Sequence, residues 1–290
     1  MKLCLNCAQR FDTASWKCVS CGFEPETVGG YLAFAPDLAE QNDGMDAASH
    51  AQLDQLQNKN FWFKARNRLV RDLAKQFFPS ANRIMEVGCG TGFVLVALRQ
   101  AFPSGVITGS EIYASGLGPA QKRLSGSGEV LQMDARKIPF REEFDLICAF
   151  DVLEHITEDT DVLSQMHEAL KPGGGVLLSV PQHPALWSAV DDCSFHKRRY
   201  AAQELQDKCR DAGFNIMRTT SFVSFLLPLM ALARLKKKDA NTLDAAAELK
   251  ISGFVNSGLE AVLEVERRLI SAGISFPIGG SRFVAAVKRT

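Results

Sequence analysis

The stretch IMEVGCGTGFVLVAL, Ile84–Leu98, decides how this chain is read. Ile84, Met85 and Val87 make an apolar, strand-like run that ends at Gly88, Gly90 and Gly92; Val94, Leu95, Ala97 and Leu98 then recur at helical spacing. Glycine at alternate positions lets the backbone turn sharply and pass close to a ligand, because no Cβ intervenes. A strand, a glycine turn and a helix in immediate succession open a doubly wound α/β sheet, in which that turn binds a nucleotide-type ligand. The spacing is G-x-G-x-G, not the G-x-G-x-x-G that seats a pyrophosphate on a helix N-terminus. Glu86 stands two residues before the first glycine, where a carboxylate repels a phosphate and suits a cation.

Carboxylates return at later strand ends. Val106 to Ile112 reads as a second strand that reaches Glu111, 23 positions after Gly88, and a third strand, Val130 to Met133, runs into Asp134, 23 positions after Glu111. A fourth strand, Phe144 to Phe150, leads into Asp151-Val-Leu-Glu154-His155. With these partners EVGCGTG resembles motif I of the class I S-adenosylmethionine-dependent methyltransferases, over roughly Arg83 to Phe214 and the last strand. The resemblance implies a Rossmann-like seven-stranded sheet with its last strand antiparallel and helices on both faces. It places Glu86, Gly88, Cys89, Gly90, Gly92, Glu111, Ile112, Asp134, Ala135, Phe150 and Asp151 around the cofactor, with Glu111 on the ribose hydroxyls and Asp134 on the adenine amino group. It also implies that a helix ahead of motif I closes over the cofactor, which makes Arg66, beside Phe61-Trp-Phe63, a candidate for the cofactor carboxylate or an acidic substrate group. An amphipathic helix merely packed on the sheet is the plainer alternative.

The N-terminus carries a different chemistry. Cys4-x2-Cys7 and Cys18-x2-Cys21 are separated by ten residues, and two CxxC turns complete a tetrahedral thiolate site. Zinc is the expected ion, held by Cys4, Cys7, Cys18 and Cys21 in a ribbon over residues 1–25 too small to fold without it. Residues 26–48, rich in Gly, Pro, Asp and Ala, read as an irregular linker, and 49–290 as the methyltransferase domain. The 290 residues hold 33 basic and 33 acidic side chains and are 46% apolar, so the chain is globular and its bulk charge does not advertise nucleic acid. No secretory h-region and no membrane-length apolar run is present, which gives a cytoplasmic expectation.

Three histidines, His155, His183 and His196, are candidate general bases near working pH, each with a purely structural alternative. The loop after the fifth strand, Val176 to Val180, supplies Gln182, Trp187, Arg198, Arg199 and Tyr200 as acceptor contacts, because such loops form the ligand crevice. Residues 221–281 read as a helical insertion between strands six and seven. Its apolar stretch Phe222 to Ala233, followed by Arg234-Leu-Lys-Lys-Lys238, suits a buried cap, a lid over the acceptor, or a peripheral membrane contact through 222–238. A second helix, Gly258 to Ser271, has a charged face (Glu260, Glu264, Glu266, Arg267, Arg268) expected to meet solvent. The resulting expectation is methyl transfer to a small or lipid- or sugar-linked acceptor, with O-methylation as one form. The alternatives are an RNA methyltransferase that uses the ribbon to bind RNA, and a non-catalytic cofactor-binding scaffold. FDVLEH in place of an Asn/Asp-Pro-Pro-aromatic motif weighs against the RNA reading.

Overall fold

The computed structural model describes residues 1–40, 54–235 and 251–289. Its centre is a mixed sheet built from β5 (Arg83–Val87), β6 (Val106–Glu111), β7 (Gly128–Gln132), β8 (Phe144–Phe150), β9 (Leu170–Pro181), β10 (Phe214–Phe222) and β11 (Ser281–Lys288). These lie in the order β7-β6-β5-β8-β9-β11-β10, and β11 runs antiparallel to both neighbours. The order reverses between β5 and β8, so a crevice opens at the carboxyl ends of those two strands, where ligands bind in doubly wound sheets. The seven-stranded Rossmann-like expectation therefore holds, including its antiparallel last strand.

Two short strands add to the β7 edge. β3 (Glu26–Val28) and β4 (Tyr31–Ala33) form a hairpin, and β4 pairs in parallel with β7 through Ala33 and Gln132. This corrects the expectation of an irregular linker over 26–48, whose residues 41–48 lie outside the described ones. Gly29-Gly30 supplies the turn, and Tyr31-Leu-Ala33 finds a free sheet edge that composition alone does not reveal. Before the hairpin, β1 (Lys2–Leu3) pairs with β2 (Arg10–Phe11) beside the four cysteines. Trp16 locks this small unit to the domain by edge contacts with Phe34 at 4.6 Å and Phe140 at 5.3 Å.

Helices cover both faces. α1 (Phe61–Phe77), α2 (Phe93–Ala101) and α3 (Ala114–Leu124) share one buried cluster with the 253–271 helix, through side chains such as Leu69, Leu95, Leu117 and Leu263. α4 (Asp159–Ala169) packs on the opposite face, with Leu163 and Met166 in a second cluster that includes Tyr200 and Phe214. A short α5 (Ala189–Cys193) follows β9, and α6 (Glu204–Asp211) returns to the sheet.

The insertion differs from its sequence reading. β10 runs on through Phe222, so the apolar stretch yields a helix only over α7 (Leu227–Leu235), started near Pro228, while α8 spans Gly253–Ser271. The basic residues 236–238 lie outside the described ones. Most of the charged face of α8 meets α1, while Arg268 stays in solvent: Glu260 pairs with Lys64 and Arg68, and Arg267 pairs with Asp72. Glu266 is fully buried and accepts the backbone N–H groups of Ser224 at 2.8 Å and Phe225 at 3.1 Å, which fixes the turn into α7. Among the described residues no helix is long and apolar enough to cross a membrane.

Candidate active site

The glycine loop between β5 and α2 uses its residues for backbone geometry. Gly88, Gly90 and Gly92 all have positive φ. A Cβ at Gly92 would lie 2.7 Å from Ala120 Cα, so this glycine lets α2 and α3 close up; one at Gly90 would meet nothing within 4 Å. Gly90 thus faces an open cradle, as a loop that receives a ligand does. Glu86 is buried beneath it with Oε2 unpartnered, and burial pushes its carboxyl well above the usual range, against the pull of Arg66. A buried carboxylate without a partner is costly, and a cationic ligand resolves that cost.

Glu111 accepts hydrogen bonds from the backbone N–H groups of Gly90 (2.8 Å), Ile112 (2.9 Å) and Tyr113 (3.1 Å), so it ties the glycine loop to the end of β6. Asp134 is gripped by Arg136, through Nε and Nη2. Gln132 spans the neighbouring edge: its Nε2 donates to Ala35 and Ile112 carbonyls, and its Oε1 accepts from the Ala35 N–H. The residues ahead of α1 close over the loop as well. Gln57 Oε1 accepts from Thr91 Oγ1 and Arg123, and Arg123 also pairs with Asp54. Gln57, Gln132 and Arg123 escape a sequence reading because their roles arise from pairs 20 to 97 residues apart along the chain.

Beside Asp151 the crevice widens into a cavity of about 900 Å³. Trp62, Val223, Leu226, Met230 and Leu259 are among its apolar walls; Asp151, Glu154, Asp191, His196 and Arg199 line its polar end. Asp151 holds positive φ, bonds Ser179 Oγ, and pairs with Arg66, whose guanidinium lies over the Trp62 ring at 4.4 Å. Arg66 therefore joins the closing helix to the end of β8. Phe150 is buried behind it against Phe283.

Of the three candidate histidines only His196 lines the cavity. Its Nδ1 bonds Asp191 Oδ1 at 2.9 Å. His155 packs edge-on to His196, with ring centroids 4.8 Å apart, and burial lowers its pKa to about 4, so it is neutral near pH 7. His183 sits at positive φ outside the cavity lining, and burial lowers its pKa too. Trp187 and Arg199 line the cavity, the latter held by Asp191 at 2.7 Å and the Gln182 carbonyl at 3.1 Å. Arg198 turns away to Asp159 and the Thr157 carbonyl, and Tyr200 is fully buried with its hydroxyl donating to Asp159 at 2.6 Å. These two stand outside the cavity lining, against their expected role as acceptor contacts: alternate residues of the KRRY run point to opposite sides, and Asp159 collects the second set.

At the N-terminus, the Sγ atoms of Cys4, Cys7, Cys18 and Cys21 lie within 4.8 Å of one another. Two of the separations are 3.6 Å (Cys4–Cys21) and 3.7 Å (Cys7–Cys18). A metal about 2.3 Å from each sulfur implies edges of about 3.8 Å. The donor set is thus spaced as a tetrahedral thiolate site requires.

Residues 55–219, more than half of the chain, match the profile of a family described as "Methyltransferase domain" (Methyltransf_23). The chain belongs to this family, and its domain is of the S-adenosylmethionine-dependent methyltransferase class. It is 30% identical over 104 residues to the ubiquinone/menaquinone biosynthesis C-methyltransferase UbiE of Desulfotalea psychrophila, covering 35% of this chain and 42% of that protein. It is 32% identical over 107 residues to the ubiquinone biosynthesis O-methyltransferase of Dechloromonas aromatica, covering 34% and 44% respectively. The chain therefore spans less than half the length of these relatives. The fold superposes on Haemonchus contortus phosphoethanolamine N-methyltransferase 2 in complex with S-adenosyl-L-methionine with a TM-score of 0.57 at 20% identity, over 88% of this chain and 60% of that one.

Proposed function

We propose that the protein transfers the methyl group of S-adenosylmethionine to a hydroxyl oxygen of a small or lipid-linked acceptor with a substantial apolar part. The observation that carries this reading is the cavity beside Asp151, about 900 Å³, with apolar walls and one polar end. When bound, the cofactor supplies an electrophilic methyl on a sulfonium. Glu86 pairs with its positive charge, Glu111 and Asp134 hold its ribose and adenine ends, and Gly90 leaves room for it. The chain's further contribution is alignment and exclusion of water, which together supply much of the rate in a displacement of this kind. Arg66, anchored on Asp151 and Trp62, closes one side; Leu226 and Met230 close another. The polar end of the cavity, lined by His196 and Arg199 among others, receives the acceptor's nucleophilic atom.

The relatives named for quinone biosynthesis support an apolar acceptor class. Exposed apolar side chains at Leu229, Leu232 and Phe254, the last 92% exposed, border the same helices and support delivery of a lipid-linked acceptor from a membrane surface. Arg199, which lines the cavity, and Arg66, beside Asp151, are already engaged by Asp191 and Asp151, which favours this reading over a polynucleotide acceptor. The four N-terminal thiolates hold a structural zinc ion that stands in for a core in the ribbon, with Trp16 as its link to the domain. Incubation with methyl-labelled cofactor and separate lipid, polar-metabolite and RNA fractions tests the proposal. Label is expected in an organic-extractable small molecule; label in RNA, or cofactor binding with no label in any fraction, overturns it.

A further inference from the structure

Glu154 poses a problem that the methyl-transfer geometry does not solve. It is fully buried, and neither carboxylate oxygen has a hydrogen-bond partner in another described residue. Burial and Asp151 both disfavour its charge, which Arg199 and Arg66 only partly offset. Yet it is one of the residues that line the cavity. A buried carboxylate of this kind is kept where a cation or a strong donor meets it.

The surroundings select a metal cation. One donor atom each from Glu154, His155 and His196 lies within 4.8 Å of the others. The three are brought together deliberately: Glu154 and His155 form a 3-10 turn after β8, and the Glu154 carbonyl accepts the Lys197 N–H at 2.7 Å, pinning the loop that carries His196. Each imidazole also has one nitrogen engaged from outside. Asp191 takes His196 Nδ1, and the Ser194 backbone meets the His155 ring. A carboxylate or carbonyl behind each ring fixes its tautomer and orientation, which is the supporting arrangement metal-binding histidines use.

We infer that Glu154, His155 and His196 form a binding site for a divalent transition-metal cation of the zinc or iron(II) type at the polar end of the acceptor cavity, separate from the four-cysteine cluster. Two imidazoles and one carboxylate are the donor set such ions select, with further positions open toward the cavity. A cation about 2.1 Å from each donor draws them inward by about 1 Å, a side-chain torsional adjustment. The ion pairs the charge of Glu154 and offers an open position to an acceptor oxygen, whose proton it renders more acidic. That role rests on the methyl-transfer reading; the existence of the site does not.

Cobalt(II) added to the full-length, as-isolated protein tests the site apart from turnover. The expected result is one equivalent per chain bound with weak visible d–d bands and no thiolate charge-transfer band, since no sulfur is a donor. Glu154→Gln and His196→Ala each weaken that equivalent at least about tenfold while leaving S-adenosylhomocysteine affinity, and so the fold, within about twofold. Cobalt binding that carries only the thiolate signature, no cobalt uptake, or uptake equal in wild type and both variants overturns the inference. If the cobalt result stands but no fraction is methylated, the site survives and the methyl-transfer reading fails.

Discussion

The two halves of the crevice are built on different principles. Around the glycine loop the crevice is shaped by backbone: three glycines at positive φ, and Glu111 tying Gly90, Ile112 and Tyr113 together through their N–H groups. Beyond Asp151 it is lined by side chains from places scattered along the chain, among them α1, the ends of β8 and β9, the loop after β9, α7 and α8. A backbone site tolerates few changes, because each glycine is needed for a conformation or a contact that a Cβ forbids. A side-chain site can be retuned one residue at a time. On the proposed function, cofactor and acceptor specificity are thereby separable.

The sharpest way to break that contrast is Gly92→Val. A β-branched residue at φ 81° is strained, and its Cβ falls 2.7 Å from Ala120 Cα. The strain costs about 1–3 kcal/mol, and where the loop relaxes out of its present shape to relieve it that cost appears as about a 10- to 100-fold loss of affinity. Titration calorimetry with S-adenosylhomocysteine should register a loss of about tenfold or more, and near-native affinity would show that the loop is not the rigid element described above. Met230→Glu probes the other half with a smaller effect. It places an unpaired carboxylate among Leu226, Val223 and Leu259 in the cavity wall. Turnover of an apolar acceptor should fall about tenfold or more through KM while S-adenosylhomocysteine affinity stays within about twofold; equal losses in both would mean that the halves are coupled.

The same contrast explains what the sequence made legible. Glu86, the glycines, Glu111, Asp134 and Asp151 are local: each lies at or just past a strand end, and the 23-residue return of Glu111 and Asp134 follows from one βα unit. The four cysteines are legible for the same reason, since CxxC is a local turn. The hairpin at β3–β4 was not, because its stability comes from the free edge of β7. Nor was the split between Arg198 and Arg199, which depends on Asp159 and Asp191 arriving from α4 and α5. Glu266 reads as solvent-facing because four other residues of that face of α8 are charged; its burial comes from the turn at Ser224 and Phe225, 42 and 41 residues away.

The strut between α1 and α8 offers the mildest test, and it concerns the acceptor half alone. Glu264 bonds Arg267 at 2.6 Å and Arg268 at 3.0 Å on its own helix, and reaches Arg68 of α1 at 3.3 Å. These arginines, Arg267 foremost, lower its pKa from 4.5 to about 2. A carboxyl held below its unfolded value adds stability that is complete above pH 4.5 and lost as the pH falls toward 2. The group is partly open to solvent, so its contribution is about 1 kcal/mol after screening. Glu264→Gln should therefore lower the melting temperature by a few degrees at pH 7, and the gap between variant and wild type should close on acidification below pH 4. Because α8 also supplies Leu259 to the cavity wall and Glu266 to the turn into α7, the same variant should loosen acceptor binding slightly. Among the described residues the strut makes no ion pair with the glycine loop, so cofactor affinity should not change; a matching drop in cofactor affinity would mean that α1 transmits strain from one half of the crevice to the other, through Asn67 on the Phe93 carbonyl or through Arg66 and Asp151.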